Sequence, residues 1–246
     1  MKVYVVILSY NGKKDTCACL KTLKQSEQSA FDLEVVVVDN ASTDDTIQTI
    51  RQEYPEVTIL VNHDNLGFAE GNNIGIRFAL KHNADFIFIL NNDTLLAKNT
   101  ISCLVEFALK EKRGGIFGPK IYFSPHAETH KKRYKNHELG SVIWYAGGEL
   151  DWKNVYASHK GVDEVDKGQY EESTKTAFVS GCAMLVRREV FEKTGLFDKK
   201  LYLYYEDVDL CKRSQKSGFE LYFVPKAAMW HKNAASGGGT GSDLQQ

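Results

Sequence analysis

VYVVILSYNG, residues 3–12, decides the architecture. Residues 3–8 are apolar without alternation and rich in β-branched Val and Ile. A strand with no polar face is buried on both sides. Asn11 and Gly12 end it. The same grammar returns at LEVVVVDN (33–40), VTILV (57–61) and FIFIL (86–90). The segments between them have helical spacing. Residues 15–25 carry apolar Ala18, Leu20 and Leu23, consistent with a helix; residues 42–54 start at Ser42, with Asp45 three residues on, and stop before Pro55. Residues 68–82 are predicted helical despite Gly71 and Gly75, and 99–112 run from an Asn99 cap to Gly114 and Gly115. Apolar strands alternating with helices imply a parallel sheet covered on both faces. Ligands of such sheets bind at the carboxyl ends of the strands. The polar clusters at 9–11, 39–40, 62–65 and 91–93 are therefore predicted to open on one edge.

The second half reads differently. Residues 116–123 form a strand whose Pro119 predicts an edge or irregular position. Residues 125–138 are a polar loop with His126, His130, Lys131, Lys132, Arg133, Lys135 and His137. A hairpin is expected at 141–152 around Gly147 and Gly148, then loop at 158–173. A strand at 178–186, helices at 188–193 and 206–217, and short strands at 220–224 and 227–230 complete the pattern. From Ala235 the chain is Gly/Ser-rich and expected to be mobile.

Composition narrows the function. The 246 residues suffice for a real core, and 43% hydrophobic with 26% charged residues is globular usage. Lys and Arg number 31 against 32 Asp and Glu, a net charge of −1 that argues against a dedicated nucleic-acid binder. Five scattered cysteines without a CxxC pair exclude a zinc ribbon or thioredoxin motif and suit a reduced, cytosolic chain. The N-terminus reads as a strand rather than a signal peptide, and no apolar run approaches the ~20 residues of a membrane span.

Several constellations can carry chemistry. The Walker and GxGxxG spacings are absent, which removes the main support for a P-loop NTPase or a dehydrogenase. Gly67, Gly71 and Gly75 lie four apart, on one side of a helix, where close packing on the sheet and phosphate contact both remain open. Asn91–Asn92–Asp93 follows the fourth strand; Asp93 can hold a divalent cation against a diphosphate, or the three residues can simply make a turn. Glu206, Asp207 and Asp209 crowd a helix start after Tyr204 and Tyr205, more acid than the helix dipole needs. His231 ends a short strand as a structural residue or a metal ligand. His126 and His130 stand in HAETH, which is not the zinc-protease HExxH. The cations at 131–135 form a solvated face or meet an anionic acceptor or membrane.

Seven stretches together resemble the family 2 inverting nucleotide-sugar glycosyltransferases of GT-A fold, in their rhamnosyltransferase-like bacterial branch. They are VVILSYNG (5–12), EVVVVDNASTDDT (34–46), NLGFAEGNNIGIRFAL (65–80), FILNNDT (88–94), SGCAMLVRREVFEKTGLFD (180–198), YYEDVDLCKRSQKSGF (204–219) and VPKAAMWHK (224–232). The resemblance implies an α/β, Rossmann-like mixed sheet with helices on both faces and a single domain over 1–235. Its nucleotide-binding half would span about 1–113 and its acceptor half about 114–235, with 236–246 the flexible tail of a truncated domain.

The resemblance also implies roles. Ser9, Tyr10 and Asn11 would line the nucleotide pocket, Asp39 and Asn40 would face the base, and Asn65, Gly67 and Asn72 would border nucleotide and sugar-phosphate. Asn91, Asn92 and Asp93 match the family's DxD motif, with Asn91 in place of its first acid. Asp93 and His231 would hold Mn²⁺ or Mg²⁺, Asp207 would be the base, and Glu206 would sit beside it on sugar or acceptor. The implied reaction moves a sugar from dTDP-rhamnose or a UDP-sugar to a hydroxyl of a bacterial surface glycan or lipid-linked glycan. The alternative is a non-catalytic nucleotide- or sugar-binding module with a degenerate DxD. Two glycosylation sequons, at Asn40 and Asn92, fall on the predicted active edge. They place the enzyme in the cytoplasm, at the inner membrane face as a peripheral protein.

Overall fold

The computed structural model describes residues 1–27 and 31–232; the predicted tail at 236–246 lies outside the described residues. Four parallel strands build the first half of the sheet: β1 (Lys2–Ser9), β2 (Asp32–Asp39), β3 (Thr58–Val61) and β4 (Phe86–Asn91). They stand in the order β4-β1-β2-β3. Val3, Val5, Val6 and Ile7 of β1 are fully buried, as are Val36, Val37 and Val38 of β2. That is the two-faced burial their unbroken apolar runs require.

The helices α1 (Lys13–Lys24), α2 (Thr46–Glu53), α3 (Gly67–Lys81) and α4 (Thr100–Lys110) flank this sheet. The two inner glycines of α3 take the packing role. A Cβ on Gly71 would stand 2.5 Å from Leu8, and one on Gly75 would stand 2.4 Å from Val6. Ser42 does not cap α2. Asp45 is the N-cap residue, and Ser42 instead donates its N–H to the Asp39 carboxylate and accepts the Asn11 N–H on its hydroxyl oxygen.

The sheet then turns mixed. The later strands are β5 (Thr94–Leu96), β6 (Gly114–Phe123), β7 (Ile143–Tyr145), β8 (Gly148–Asp151), β9 (Tyr156–His159), β10 (Thr174–Lys175), β11 (Ala183–Arg187) and β12 (Glu220–His231). Two short helices, α5 (Arg188–Thr194) and α6 (Glu206–Lys216), separate the last two. β11 runs antiparallel between β4 and β6, and β12 runs parallel to β6.

Three expectations are corrected here. β6 is interior, so of the two positions expected at Pro119 the edge is wrong and the irregular one holds; β12 loops out residues 225–227 between the pairs Val224↔Pro119 and Ala228↔Lys120. The two short C-terminal strands are thus one long bulged strand. The hairpin expected at 141–152 is two strands with different partners: β7 pairs with β6, and β8 pairs with β9. Within the expected loop at 158–173, Lys120 is buried in ion pairs with Asp166 (2.9 Å) and Glu171 (2.6 Å), which tie that loop to β6.

Candidate active site

Register brings the polar strand ends level. Ser9 pairs with Asp39, Leu8 with Asn91, and Asp39 with Val61. The four clusters predicted to converge therefore share one edge. Asn11 takes a left-handed φ of 49°, which Asn tolerates, and its Oδ1 accepts the N–H of Thr43 at 2.8 Å. Asn40 is equally occupied: its amide donates to Asn65 Oδ1 (2.9 Å) and to the Gly67 carbonyl (3.1 Å), and its Oδ1 accepts from Asn62 (2.8 Å). Both side chains brace the loops at this edge.

Other predicted residues keep free valence. Asp39 is fully buried; Oδ2 accepts the Ser42 N–H at 2.8 Å, while Oδ1 has no partner among the described residues. Asn72 is buried and its Oδ1 likewise lacks one. A buried polar atom left unpaired costs about 1–3 kcal/mol. A ligand N–H or O–H would relieve it. Tyr10 is exposed, with an aromatic face available for stacking. Ser9 and Asn92 meet at Thr16, whose hydroxyl shares a 2.9 Å hydrogen bond with Ser9 and accepts from Asn92 at 3.0 Å. Gly12 makes room for this, since a Cβ there would lie 2.4 Å from the Asn92 amide.

Asp93 and His231 come together across β5 and β12, which pair Thr94 with His231. His231 Nε2 lies 3.1 Å from Asp93 Oδ1, and both residues are buried. Trp144 stands edge-on to the imidazole at 4.6 Å between centroids and fixes its plane. Burial opposes a charge on His231, but Cys182 and the Asp93 carboxylate outweigh it and push the imidazole up to about 10. The Cys182 thiol is itself pushed up by burial.

One carboxylate and one imidazole are a partial donor set. Among the described residues no group of three or more His, Cys, Asp and Glu is gathered. Mg²⁺-type sites use one or two protein carboxylates and complete the shell with phosphate oxygens and water. The pair therefore fits a cation shared with a diphosphate, and does not fit one held by protein alone.

The carboxylates of α6 lie close by. Asp207 Oδ2 accepts the Gly181 N–H (2.8 Å) and Oδ1 accepts the Val208 N–H (2.7 Å). The next residue, Cys182, accepts the Asn91 N–H on its carbonyl at 2.9 Å. Residues 181–182 thus link the acid of α6 directly to the Asn91–Asp93 turn. Burial raises the Asp207 carboxyl, and the backbone N–H groups partly offset it. Glu206 is buried, its Oε2 has no partner among the described residues, and burial followed by the Asp207 charge raises it to about 7.

The segment before α6 is exposed and held in an unusual backbone. Tyr204 and Tyr205 both have left-handed φ, 73° and 66°. Such conformations cost about 1–3 kcal/mol each and collect at functional sites. Tyr202 anchors the segment: its carbonyl accepts the Phe68 N–H at 3.0 Å, and its ring fills the space beside Gly67. The roles of Thr16, Trp144, Gly181 and Tyr202 were missed in the sequence. SGCAML (180–185) carried a signal, as one of the matching stretches, but spacing alone could not tell which strand it would face.

Residues 1–243 match the model of a family described as Glycosyltransferase like family 2. The chain belongs to that family. This family-2 glycosyltransferase is 29% identical over 220 residues to the N-acetylglucosaminyl-diphospho-decaprenol L-rhamnosyltransferase of Mycobacterium tuberculosis, covering 83% of the chain and 68% of the relative. It is 27% identical over 235 residues to the dTDP-rhamnosyl transferase RfbF of Shigella flexneri, covering 93% and 68%. Its fold matches that of GalNAc-T7 crystallised with UDP, GalNAc and Mn²⁺, with a TM-score of 0.74 at 18% identity; the match covers 94% of this chain and 44% of that one. The family-2 glycosyltransferase is thus a GT-A-type, single-domain α/β protein related to bacterial rhamnosyltransferases.

Proposed function

We propose that the chain transfers a sugar, with inversion, from dTDP-rhamnose or a UDP-sugar to a hydroxyl of a bacterial surface-glycan acceptor. The observation that carries this reading is the link through residues 181–182 between Asp207 and the Asn91–Asp93 turn. It supports a role for Asp207 as the base beside residues suited to a diphosphate. Names of relatives support the donor class, since two of them are rhamnosyltransferases. Asp39 and Tyr10 would take the base, Ser9, Asn65, Gly67, Asn72, Asn91 and Asn92 would border ribose and sugar-phosphate, and Glu206 would meet sugar or acceptor.

The acceptor oxygen attacks the anomeric carbon as its proton passes to the Asp207 carboxylate. The new C–O bond forms on the face opposite the departing nucleoside diphosphate, which leaves with the bonding electrons. One base and one displacement give inversion. Asp93 and His231 would hold a divalent cation, Mn²⁺ or Mg²⁺, whose charge, when bound, neutralises the leaving diphosphate. His231 must surrender its proton to ligate, so metal loading would release a proton. Residues up to about 113 would serve the nucleotide and the remainder the acceptor. Among the described residues no helix is long and apolar enough to cross a membrane. We place the enzyme in the cytoplasm, at the inner membrane face.

A second reading, a nucleotide- or sugar-binding module without turnover, is favoured by Asn91 at the first DxD position and by the two-member ligand set. Release of nucleoside diphosphate across a donor panel, with and without Mn²⁺, separates the two. Affinity without release would sustain the second and end the first.

A further inference from the structure

We propose that the exposed cations of the 131–135 loop dock the enzyme on an anionic lipid bilayer beside its active-site edge. The inference rests on the proposed reading that the chain transfers a sugar to a bacterial surface-glycan acceptor at the inner membrane face.

The loop leaves the end of β6 at the site itself. Phe123 pairs with His231, and the Ser124 N–H donates to the His231 carbonyl at 2.8 Å. It is then pinned at several points. Glu128 is buried and accepts the Gly140 N–H at 2.8 Å, and Trp230 Nε1 donates to the Gly140 carbonyl at 2.8 Å. Tyr134 donates to the Asp163 carbonyl at 3.1 Å, and His130 Nδ1 meets the Asp163 carboxylate at 3.0 Å. The strand that carries His231 therefore also holds this loop.

Folding fixes the loop yet leaves its charge uncancelled. Lys131, Lys132, Arg133 and Lys135 are all exposed. None forms an ion pair among the described residues, whereas Lys13, Lys24, Arg77 and Lys175 elsewhere on the surface do. No acid interrupts residues 130–137. Nearby, Glu128 is buried on Gly140, and Glu138 accepts the Lys135 backbone N–H at 2.7 Å. An ordinary solvated face mixes signs. In a chain of net charge −1 this patch is a local reversal.

Geometry selects the partner. Lys131–Arg133 form a 3-10 turn, in which successive side chains point about 120° apart. Three cations splayed in this way cannot converge on one phosphate, as a built anion site requires. Those on the outward side of the turn, with Lys135 beyond it, can each meet a different headgroup of a continuous anionic surface. Each such residue contributes about 1 kcal/mol near an anionic membrane. A bilayer seated here would meet the loop that leaves β6 beside His231.

The test is sedimentation of the full chain with vesicles of phosphatidylcholine alone and of phosphatidylcholine mixed with phosphatidylglycerol. Binding is expected only to the mixed vesicles and is expected to vanish at high salt. Replacing all four cations (Lys131→Ser, Lys132→Ser, Arg133→Ser, Lys135→Ser) should weaken it about a hundred- to thousandfold. Nucleoside diphosphate release with a soluble acceptor should be unchanged in that variant, which also reports its fold. Equal binding to both vesicle types, or an unaltered variant, overturns the proposal. So does saturable displacement by free pyrophosphate at constant ionic strength, which would mean a discrete anion site. Vesicle binding without nucleoside diphosphate release in either protein would leave the docking intact and remove the enzymatic reading instead.

Discussion

At Asp207 two backbone N–H groups set the carboxylate in place, so the side chain is positioned before any substrate arrives. Asp207→Asn keeps the shape and loses the basicity. Donor binding should persist in calorimetry while transfer falls about 10²–10⁴-fold, the usual share of a positioned base. Near-normal rates would reduce Asp207 to a helix-start residue. Asp93→Ala should remove metal-dependent donor binding and turnover together, and His231→Ala should do so more mildly, since Asp93 would remain. Glu206 makes a separate statement, about stability. Its carboxyl is raised from 4.5 to about 7 by burial and by Asp207. The native state then binds more protons than the unfolded one between these values, and stability falls as pH rises through that window, flattening above it. The full loss is on the order of 3 kcal/mol, and Asp207, also raised, adds to the same slope. Glu206→Gln should therefore match wild type in urea denaturation at pH 5 and exceed it at pH 8. A variant less stable at pH 8 would show that the ionised carboxylate is a favourable group.

In α3 three glycines four residues apart divide two tasks. Gly75 faces Val6 and Val38, with room for no Cβ. Gly75→Ala should destabilise by about 1–3 kcal/mol, the usual range for overpacking, with little change in donor affinity. Gly67 sits at φ +73° against the Tyr202 ring and carbonyl. Gly67→Ala should displace the 202–205 segment and reduce turnover more than it reduces stability. Comparing melting temperature with initial rates for both variants would expose the difference; parallel losses would mean that Tyr202 is only packing. The parallel half was legible because each element there is local: an apolar run, a helical period, an Asn or Asp stop. What escaped depended on partners distant in sequence. β5 has three residues and exists only because β12 pairs with it. Pro119 left an edge and an irregular position both open because nothing in its own strand shows that β12 would bulge to receive it. For the same reason the residues of the candidate site could be proposed from the chain, and the Gly181 contact could not.

Across the whole molecule the candidate site straddles the change in sheet character. Asp39 and the Asn91–Asp93 turn belong to the parallel strands, while His231 and the segment bearing Gly181 belong to the mixed ones. A ligand bridging these parts binds only the folded chain and should stabilise it. The two-member donor set makes the effect conditional. Mn²⁺ alone finds one carboxylate and one protonated imidazole, so it should hardly move the melting temperature. Mn²⁺ with UDP or dTDP supplies the missing oxygens. At a hundredfold excess over Kd the gain is about 2.7 kcal/mol, and at about 2–4 °C per kcal/mol for a domain of this size the melting temperature should rise by roughly 5–10 °C. The nucleotide without metal should give a smaller rise, and Asp93→Ala should bring the full mixture down to that level. A large shift from Mn²⁺ alone would mean that the protein completes the metal's shell by itself. An equal shift from nucleotide with and without Mn²⁺ would mean that Asp93 and His231 serve each other as an ion pair, and that diphosphate departure relies on the amide and backbone donors of the Asn91–Asp93 turn.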